Sequence, residues 1–368
     1  MKISVICLAS RSGGGLSVLR DLYTFAVENE TQNQWQFVLS DQTLEHTESS
    51  NVESVRVAPE YNGWGSRVLA ELTIARRAVR EFNPDIVLSL QNVDTPARGR
   101  YPLAIYMHQA LPFQNEYRLS FLKKNERKLA WRQYLLRWPI ILSIRRSSVT
   151  FVQTRWLAMN LRNLVPGSRI VPIGHLEKPR EGEVQSRKKA PDHFFYPASG
   201  APYKDHRTLH LAIRELSERG VDMKNKVAVT LTREQIISVT NLKSELELQW
   251  YRPLGWLTPE EVEKEYINSV LVFPSLVESL GLPLYEAQWT GNPIVAGDTN
   301  FGREALEGYH AAHWFETRDP ESLAAAMEMS MFQKDRSNLD GRRQATESTP
   351  WRKLLDELES TCAKDSHE

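Results

Sequence analysis

Two glutamates, Glu278 and Glu286, stand on either side of Gly281-Leu282-Pro283, just after the apolar run "VLVFPS" at 270–275. Proline in the first helical turn loses nothing by its missing N–H, and a preceding glycine lets the backbone come close to a ligand. The amides around Gly281, Leu282 and Leu284 are therefore expected at a helix N-terminus beyond the carboxyl end of a strand, a geometry that receives anions. Glu286, about one turn further on, would repel a phosphate, so its expected partner is neutral and rich in hydroxyls. A ribose diol fits its two carboxylate oxygens. Glu278, ahead of the turn, can accept from sugar hydroxyls, so the pair would grip two ends of a nucleotide-sugar with its diphosphate between them. By spacing alone, however, two glutamates eight positions apart arise by chance in an acid-rich chain. The plain alternative is a helix start stabilised by Glu286, beside a solvated Glu278.

Other residue types add to that chemistry. Lys204, in "PASGAPYKDHRTL" (197–209), falls between a strand and a helix. A fixed cation there can stabilise charge on a departing phosphate; otherwise it is an exposed lysine of a helix start. Gly13, Gly14 and Gly15 follow the first apolar run and precede a helical pattern that begins at Leu16. They suit the approach of a phosphate, or form a tight turn only. His108 closes the run "LAIYMH" (103–108), where α/β sheets present ligand groups, and is otherwise an ordinary strand-end histidine. The histidines show no metal spacing, and no Asp-x-Asp pair occurs, so no metal and no cofactor are expected.

The elements that must position these residues alternate. Apolar runs at 3–9, 35–40, 85–90, 103–108 and 149–153, and again at 194–199, 227–232, 270–275 and 293–297, read as strands buried on both faces. Helical patterns around 204–219, 259–268, 282–290 and 319–330 separate those of the second series. The expected class is α/β with two doubly wound parallel sheets. The expected division is an amino-terminal domain over 1–177, a polar linker over 178–192, a second domain over 193–345, and a terminal helical stretch over 346–368. At 368 residues the chain accommodates two such domains. Its net charge is zero, which argues against a general nucleic-acid binder. Cys7 and Cys362 are the sole cysteines, which suits a reducing compartment and no disulfide framework. The opening "MKISVICLASRSGGG" reads as a first strand and not as a secretory signal, and no run is long and apolar enough for a membrane span.

The segment from Tyr117 to Arg146 departs from this balance, with nine Lys or Arg against the single acid Glu126. Trp131, Tyr134 and Trp138 are interleaved with the cations. A basic helix carrying Leu, Trp and Tyr suits a membrane interface, with Lys123, Lys124, Arg127, Lys128 and Trp131 as the expected contacts. The alternative is a helix packed on its own domain with a solvated basic face.

The surroundings of the two glutamates carry a resemblance. "FPSLVESLGLPLYEAQWTGNPIVAG" resembles the signature of the retaining glycosyltransferases of family 4: Pro-Ser, Glu, Gly-Leu-Pro, a second Glu-Ala, then Gly-x-Pro and a short apolar strand. The likeness extends over "RPLGWLTPEEVEKEYINSVLVFPS" (252–275), "GREAL" (302–306) and "PWRKLLDEL" (350–358). It is looser over "SGGGLSVL", "YMHQALPF" (106–113) and "FVQTRWL" (151–157). It implies the GT-B fold, two Rossmann-like domains facing across a cleft. The donor would lie on the carboxyl-terminal domain, the acceptor mainly on the amino-terminal one, and the final helix would cross back to the first domain.

For single residues the resemblance implies Glu278, His108 and Lys204 at the reacting centre. It places Gly13, Gly14, Gly15, Gly281, Leu282, Leu284 and Glu286, again with Lys204, on the donor. The family also uses an arginine near the position of Ser199, which this chain lacks; Arg207, His206 or the glycine-rich stretch are the available substitutes. The implied reaction retains configuration without a protein nucleophile, with the leaving diphosphate accepting the acceptor's proton. A GDP- or UDP-linked hexose or deoxyhexose would pass to a glycan or lipid-linked glycan at the cytoplasmic face of a bacterial membrane, in assembly of O-antigen (lipopolysaccharide), capsule or exopolysaccharide. The rivals are a nucleotide-sugar epimerase or hydrolase on the same fold, and a glycan- or nucleotide-binding protein without catalysis.

Overall fold

The computed structural model describes residues 1–11, 13–28, 32–40, 44, 49–58, 61, 63–114, 116–174, 191–242, 244–332 and 349–365. The chain divides into two compact units. The first comprises Met1–Phe113, Trp131–Leu176 and Glu347–Glu368; the second comprises Gln114–Ala130 and Glu177–Thr346. The linker expected at 178–192 lies outside the described residues except for 191 and 192.

The first unit is built on β1 (Lys2–Ile6), β2 (Gln34–Ser40), β3 (Val52–Val57), β4 (Ile86–Ser89), β5 (Leu103–Met107), β6 (Val149–Val152) and β7 (Ile170–Pro172). They form one parallel sheet in the order β3-β2-β1-β4-β5-β6-β7. Its inner strands are apolar on both faces: Val5, Leu88 and Phe151 are buried on one and Ile6, Val87 and Val152 on the other, as crossover helices on both sides require. The helix Pro350–Asp365 belongs to this unit and adds Trp351, Leu354, Leu355 and Leu358 to the core around Phe37 and Tyr106. Arg169 donates to Thr361 at 2.9 Å, and Lys353 donates to the carbonyl of Pro172 at 2.7 Å.

The second unit has β8 (His193–Tyr196), β9 (Val227–Val229), β10 (Tyr251–Pro253), β11 (Ser269–Phe273), β12 (Ile294–Gly297) and β13 (Ala312–Phe315). All pairings are parallel, in the order β10-β9-β8-β11-β12-β13. The chain winds outward from β8 one way and from β11 the other. Val270 opposite Phe194 and Leu271 opposite Phe195 set the register where the winding reverses. Helices at His206–Glu218, Pro259–Asn268, Leu282–Gln288 and Pro320–Phe332 lie where the sequence patterns place them.

Two expectations need correction. The glycine triplet does not form a loop ahead of a helix: the helix Gly13–Glu28 begins at Gly13, so all three glycines lie in its first turn. Nor is 117–146 one basic helix. Residues 117–126 are irregular, followed by helices Arg127–Leu135 and Arg137–Arg146. Pro139 explains the break, since its ring collides with the carbonyl four residues back, at Leu135, and it has no N–H to bond there.

Candidate functional site

In an open parallel sheet, ligands bind beyond the carboxyl ends of the strands, where the winding reverses. In the second unit that point lies past β8 and β11. After β8 the chain makes a single turn at Pro202–Lys204 and caps the helix His206–Glu218 with Asp205, whose Oδ1 accepts the Thr208 amide at 3.3 Å. After β11 the stretch 274–281 runs to the helix Leu282–Gln288. Three contacts latch the two loops. The Leu276 amide donates to the Tyr203 carbonyl at 2.8 Å. The Tyr196 hydroxyl donates to the Lys204 carbonyl at 2.7 Å and lies 2.8 Å from Ser275 Oγ. Burial holds the Tyr196 phenol well above its ordinary pKa, so it keeps the proton it donates.

That latch brings together two of the three expected catalytic residues. Lys204 Nζ forms a salt bridge with Glu278 Oε1, with the side chains only 15% and 16% exposed. The ammonium also lies 5.7 Å from the centre of the Tyr203 ring and 5.9 Å from that of Phe273. An ammonium has three donors. A phosphate arriving here can therefore share Lys204 with Glu278 without displacing it.

Gly281 precedes the Leu282–Gln288 helix with φ +77°, a left-handed conformation that glycine adopts without strain. A Cβ at this position would lie 3.2 Å from Leu284 and 3.4 Å from Phe301. Neither Gly281 nor Leu282 donates its amide to a described backbone acceptor. The Leu284 amide is different: it is taken by the Gly281 carbonyl at 2.8 Å, and the Leu284 side chain is fully buried. The turn closes on itself, so Leu284 is a core residue and leaves the donor set expected from sequence.

Glu286 Oε2 accepts from the Tyr266 hydroxyl at 2.9 Å. Tyr266 is 4% exposed, and burial, then the charge of Glu286, hold its phenol well above the usual range, so it acts as a donor at any working pH. Tyr266 sits on the helix Pro259–Asn268, its ring edge-on to Phe195 at 5.4 Å. The Asn292 side chain fixes the end of that helix by donating to the carbonyls of Tyr266 and Ser269 at 2.9 and 2.6 Å. Sequence reasoning did not find Tyr266 or Asn292. The one available signal was a polar Asn292 between Gly291 and Pro293, ahead of an apolar strand.

In the first unit, His108 follows β5. Its amide donates to Asn92 Oδ1 at 2.8 Å, and its Nε2 lies 3.3 Å from Asn92 Nδ2. Since that nitrogen of Asn92 is a donor, Nε2 accepts and the proton sits on Nδ1, an assignment from the network. Nδ1 is buried with no partner among the described residues. Burial lowers the His108 pKa to about 4, so the ring is neutral at pH 7. A Cβ on Gly15 would lie 3.3 Å from His108 Nε2, whereas one on Gly14 would meet nothing within 4 Å. The structure thus places Gly15 against His108. Asn92, left-handed at φ +66°, was not found from sequence.

Among the substitutes for the absent arginine, His206 carries no charge at neutral pH. It is 5% exposed, bonded to the Ser199 carbonyl at 2.9 Å, and lowered to a pKa of about 4 by burial. Arg207 is exposed. Among the described residues no three His, Cys, Asp or Glu side chains cluster as a metal site requires.

The basic segment exposes apolar surface together with its cations. Leu122 is 92% exposed, Trp131 58% and Trp138 71%. Lys124, Arg127 and Lys128, on the second unit with Leu122, and Arg132, on the first with the two tryptophans, are exposed, and Lys123 forms an ion pair with Glu126 at 3.1 Å. No described helix is long and apolar enough to cross a membrane.

The fold has solved counterparts. A sucrose-phosphate synthase from Thermosynechococcus elongatus matches over 100% of this chain and 98% of its own, with TM-score 0.66 and 12% identity. A UDP-forming alpha,alpha-trehalose-phosphate synthase from Burkholderia xenovorans, solved with glucose-6-phosphate, matches over 97% and 99% with TM-score 0.66 and 11% identity. The lipopolysaccharide outer core galactosyltransferase WaaB in its apo form matches over 98% and 99% with TM-score 0.63 and 13% identity. No curated protein matches the sequence. Two α/β units with parallel sheets of seven and six strands, alike to these structures, are the GT-B fold. Within it, residues 178–340, the stretch that carries Lys204, Glu278, Tyr266 and Glu286, match the model of the family glycosyl transferases group 1.

Proposed function

We propose that this chain is a retaining glycosyltransferase of family 4 type that needs no metal and takes a hexose or deoxyhexose from a GDP- or UDP-linked donor. The observation that carries the reading is the latched pair Lys204–Glu278 beside the Tyr266–Glu286 bond, all within the stretch matched by the family model. Glu286 receives the ribose diol, and the amides of Gly281 and Leu282 with the Lys204 ammonium receive the diphosphate. Glu278 accepts from hydroxyls of the transferred sugar. As the glycosidic bond to the diphosphate breaks, charge grows on the leaving oxygen, where a fixed cation is most effective. That oxygen takes the proton of the acceptor hydroxyl as the new bond forms on the same face, so no protein nucleophile is required. His108, neutral and held by Asn92 at the end of β5, serves as the first unit's hydrogen-bonding group for a sugar hydroxyl.

The acceptor is a glycan or lipid-linked glycan of bacterial O-antigen, capsule or exopolysaccharide, met at the cytoplasmic membrane surface. Exposed apolar and basic residues on each unit, Leu122 with Lys124 and Lys128 on the second and Trp131 and Trp138 with Arg132 on the first, support that part, because apolar and basic residues together suit the headgroup layer. A second reading, a binder of nucleotide or glycan without catalysis, is favoured by the lack of an arginine at Ser199.

Calorimetric titration with GDP and UDP, beside Glu286→Ala, tests the donor site. Binding of one nucleotide and its loss in the variant is expected; equal binding in both proteins overturns the assignment of Glu286. Sugar release from that donor in chelator, with and without a candidate acceptor, then separates transferase from binder.

A further inference from the structure

A cavity of about 400 Å³ in the first unit is lined by Arg76, Arg98 and Arg146 with Asp94, Thr95 and Gly99. Arg98 and Gly99 lie in the stretch that leads into β5, and Arg146 lies just ahead of β6. The cavity is therefore at the end of the sheet where these strands begin, whereas His108 follows the end of β5.

Its wall is built around a buried carboxylate. A π-helical turn at Glu71–Ala75 interrupts the helical run from Trp64 to Phe82, and Glu71 points inward at 5% exposure. Such turns recur at functional sites. Glu71 accepts from Thr95 Oγ1 at 2.6 Å and from Gln91 Nε2 at 3.0 Å. Thr95 caps the single turn Pro96–Arg98, and its amide donates to Asp94 Oδ1 at 2.8 Å. Asp94 Oδ1 also accepts from Arg98 Nε at 2.9 Å, while Arg98 Nη1 donates to the Tyr101 carbonyl at 3.2 Å. The Arg98 guanidinium is thus held in place before any ligand arrives. Arg76 Nε lies 4.0 Å from the point where a Cβ on Gly99 would stand, so its head rests against the same loop.

Neither Arg76 nor Arg146 has a carboxylate partner among the described residues. Three guanidinium groups against the two carboxylates of Asp94 and the buried Glu71 leave one positive charge over. Guanidinium forks match phosphate oxygens in pairs, and like charges gathered in excess of their counter-charges favour an anion between them. Arg146 also ends the helix Arg137–Arg146, whose Trp138 and Leu142, four residues apart, are 71% and 47% exposed. The cationic cavity therefore continues an exposed apolar helix face.

We propose that this cavity is a phosphate-binding subsite that takes the headgroup phosphate of an anionic phospholipid. The proposal rests on the membrane contact put forward above. The test is sedimentation of the full chain with vesicles of phosphatidylcholine alone and of phosphatidylcholine with phosphatidylglycerol. The variants are Arg76→Gln/Arg146→Gln, a charge-matched control Arg77→Gln/Arg80→Gln on exposed positions outside the cavity, and Trp138→Ala. Removing two phosphate contacts should weaken binding to the anionic vesicles about tenfold or more, with the control pair close to wild type. Equal loss in both pairs would mean a diffuse basic field and sink the subsite. If Trp138→Ala lowers binding and the cavity pair does not, the membrane contact stands and the subsite falls. A wild-type chain that ignores anionic vesicles overturns both the membrane contact and the headgroup as occupant. Calorimetry with inorganic phosphate and glycerol phosphate gives the other source. Tight binding of either, lost in the cavity pair while vesicle binding is unchanged, replaces the headgroup with a free phosphate compound.

Discussion

The ends of the two sheets are prepared differently. In the second unit the charged groups have already found each other: Lys204 with Glu278, Tyr266 with Glu286, Tyr196 with Ser275 and the Lys204 carbonyl. In the first unit, His108 keeps a buried nitrogen without a partner among the described residues, and the helix beside it starts on glycines. Paired charges tolerate burial without a ligand, whereas a lone buried donor costs roughly 1–3 kcal/mol until something accepts from it. These pairs of the second unit therefore hold their geometry in the free protein, and the first carries an unmet hydrogen bond at His108, in the wall against Gly15.

The largest effect should come from breaking the ion pair. Lys204→Met should lower transfer by about 10²–10³-fold if the cation meets developing charge, and should destabilise the second unit by roughly 1–3 kcal/mol through the stranded Glu278. Adding Glu278→Leu should restore the denaturant midpoint and leave transfer lost. A double variant that regains activity would reduce the pair to a structural brace. Next comes acid. His206 has a folded pKa of about 4 against an ordinary 6.5, so between those values the unfolded chain binds the proton first. Its contribution is complete above about pH 6.5 and is lost as pH falls through about 4, by up to about 3 kcal/mol. His206→Gln should make the midpoint less steep between pH 7 and pH 5, the remaining slope coming from His108 and His210, whose folded pKa values are also about 4; an unchanged slope would move the acid sensitivity away from His206.

Smaller effects sharpen the contrast. Tyr266→Phe should weaken nucleotide binding by about 1 kcal/mol, roughly fivefold, through a less well-aimed Glu286. The loss should shrink for a 2′-deoxy nucleotide, and an equal loss for both sugars would point to general packing. Gly14→Ala meets open space in a first helical turn and should stabilise the first unit by up to about 1 kcal/mol. Gly15→Ala should gain less, because its Cβ would press on His108. If Gly14→Ala also slows transfer, the glycine start faces the donor; thermal melts beside rates decide this.

The sequence made the centre of each sheet legible and not its margins. β3, β7, β10 and β13, absent from the strands expected by pattern, are the four outermost strands in the two sheets. "VESVRV" at 52–57 alternates and is only partly buried, and "YRP" and "IVP" have three residues each. Continuous apolar runs mark a strand covered on both faces, and these lack that cover. The same holds for the candidate site. Glu278, Gly281 and Glu286 share one local turn and can be read in order, as can Lys204. Tyr266, Asn92 and the Leu284 amide take their roles from contacts across sequence, or from a turn closing on itself, and a linear pattern contains no trace of either.

The helix Pro350–Asp365 supplies Trp351, Leu354, Leu355 and Leu358 to the core that also contains Val5 and Phe37. On the ribosome, the first sheet to emerge is thus the last to be sealed. All of the second unit is synthesised before Trp351 exists, and at about 5–20 residues per second this leaves the earliest strands waiting for ten seconds or more. During that interval the chain's own tail is not yet there to cover them.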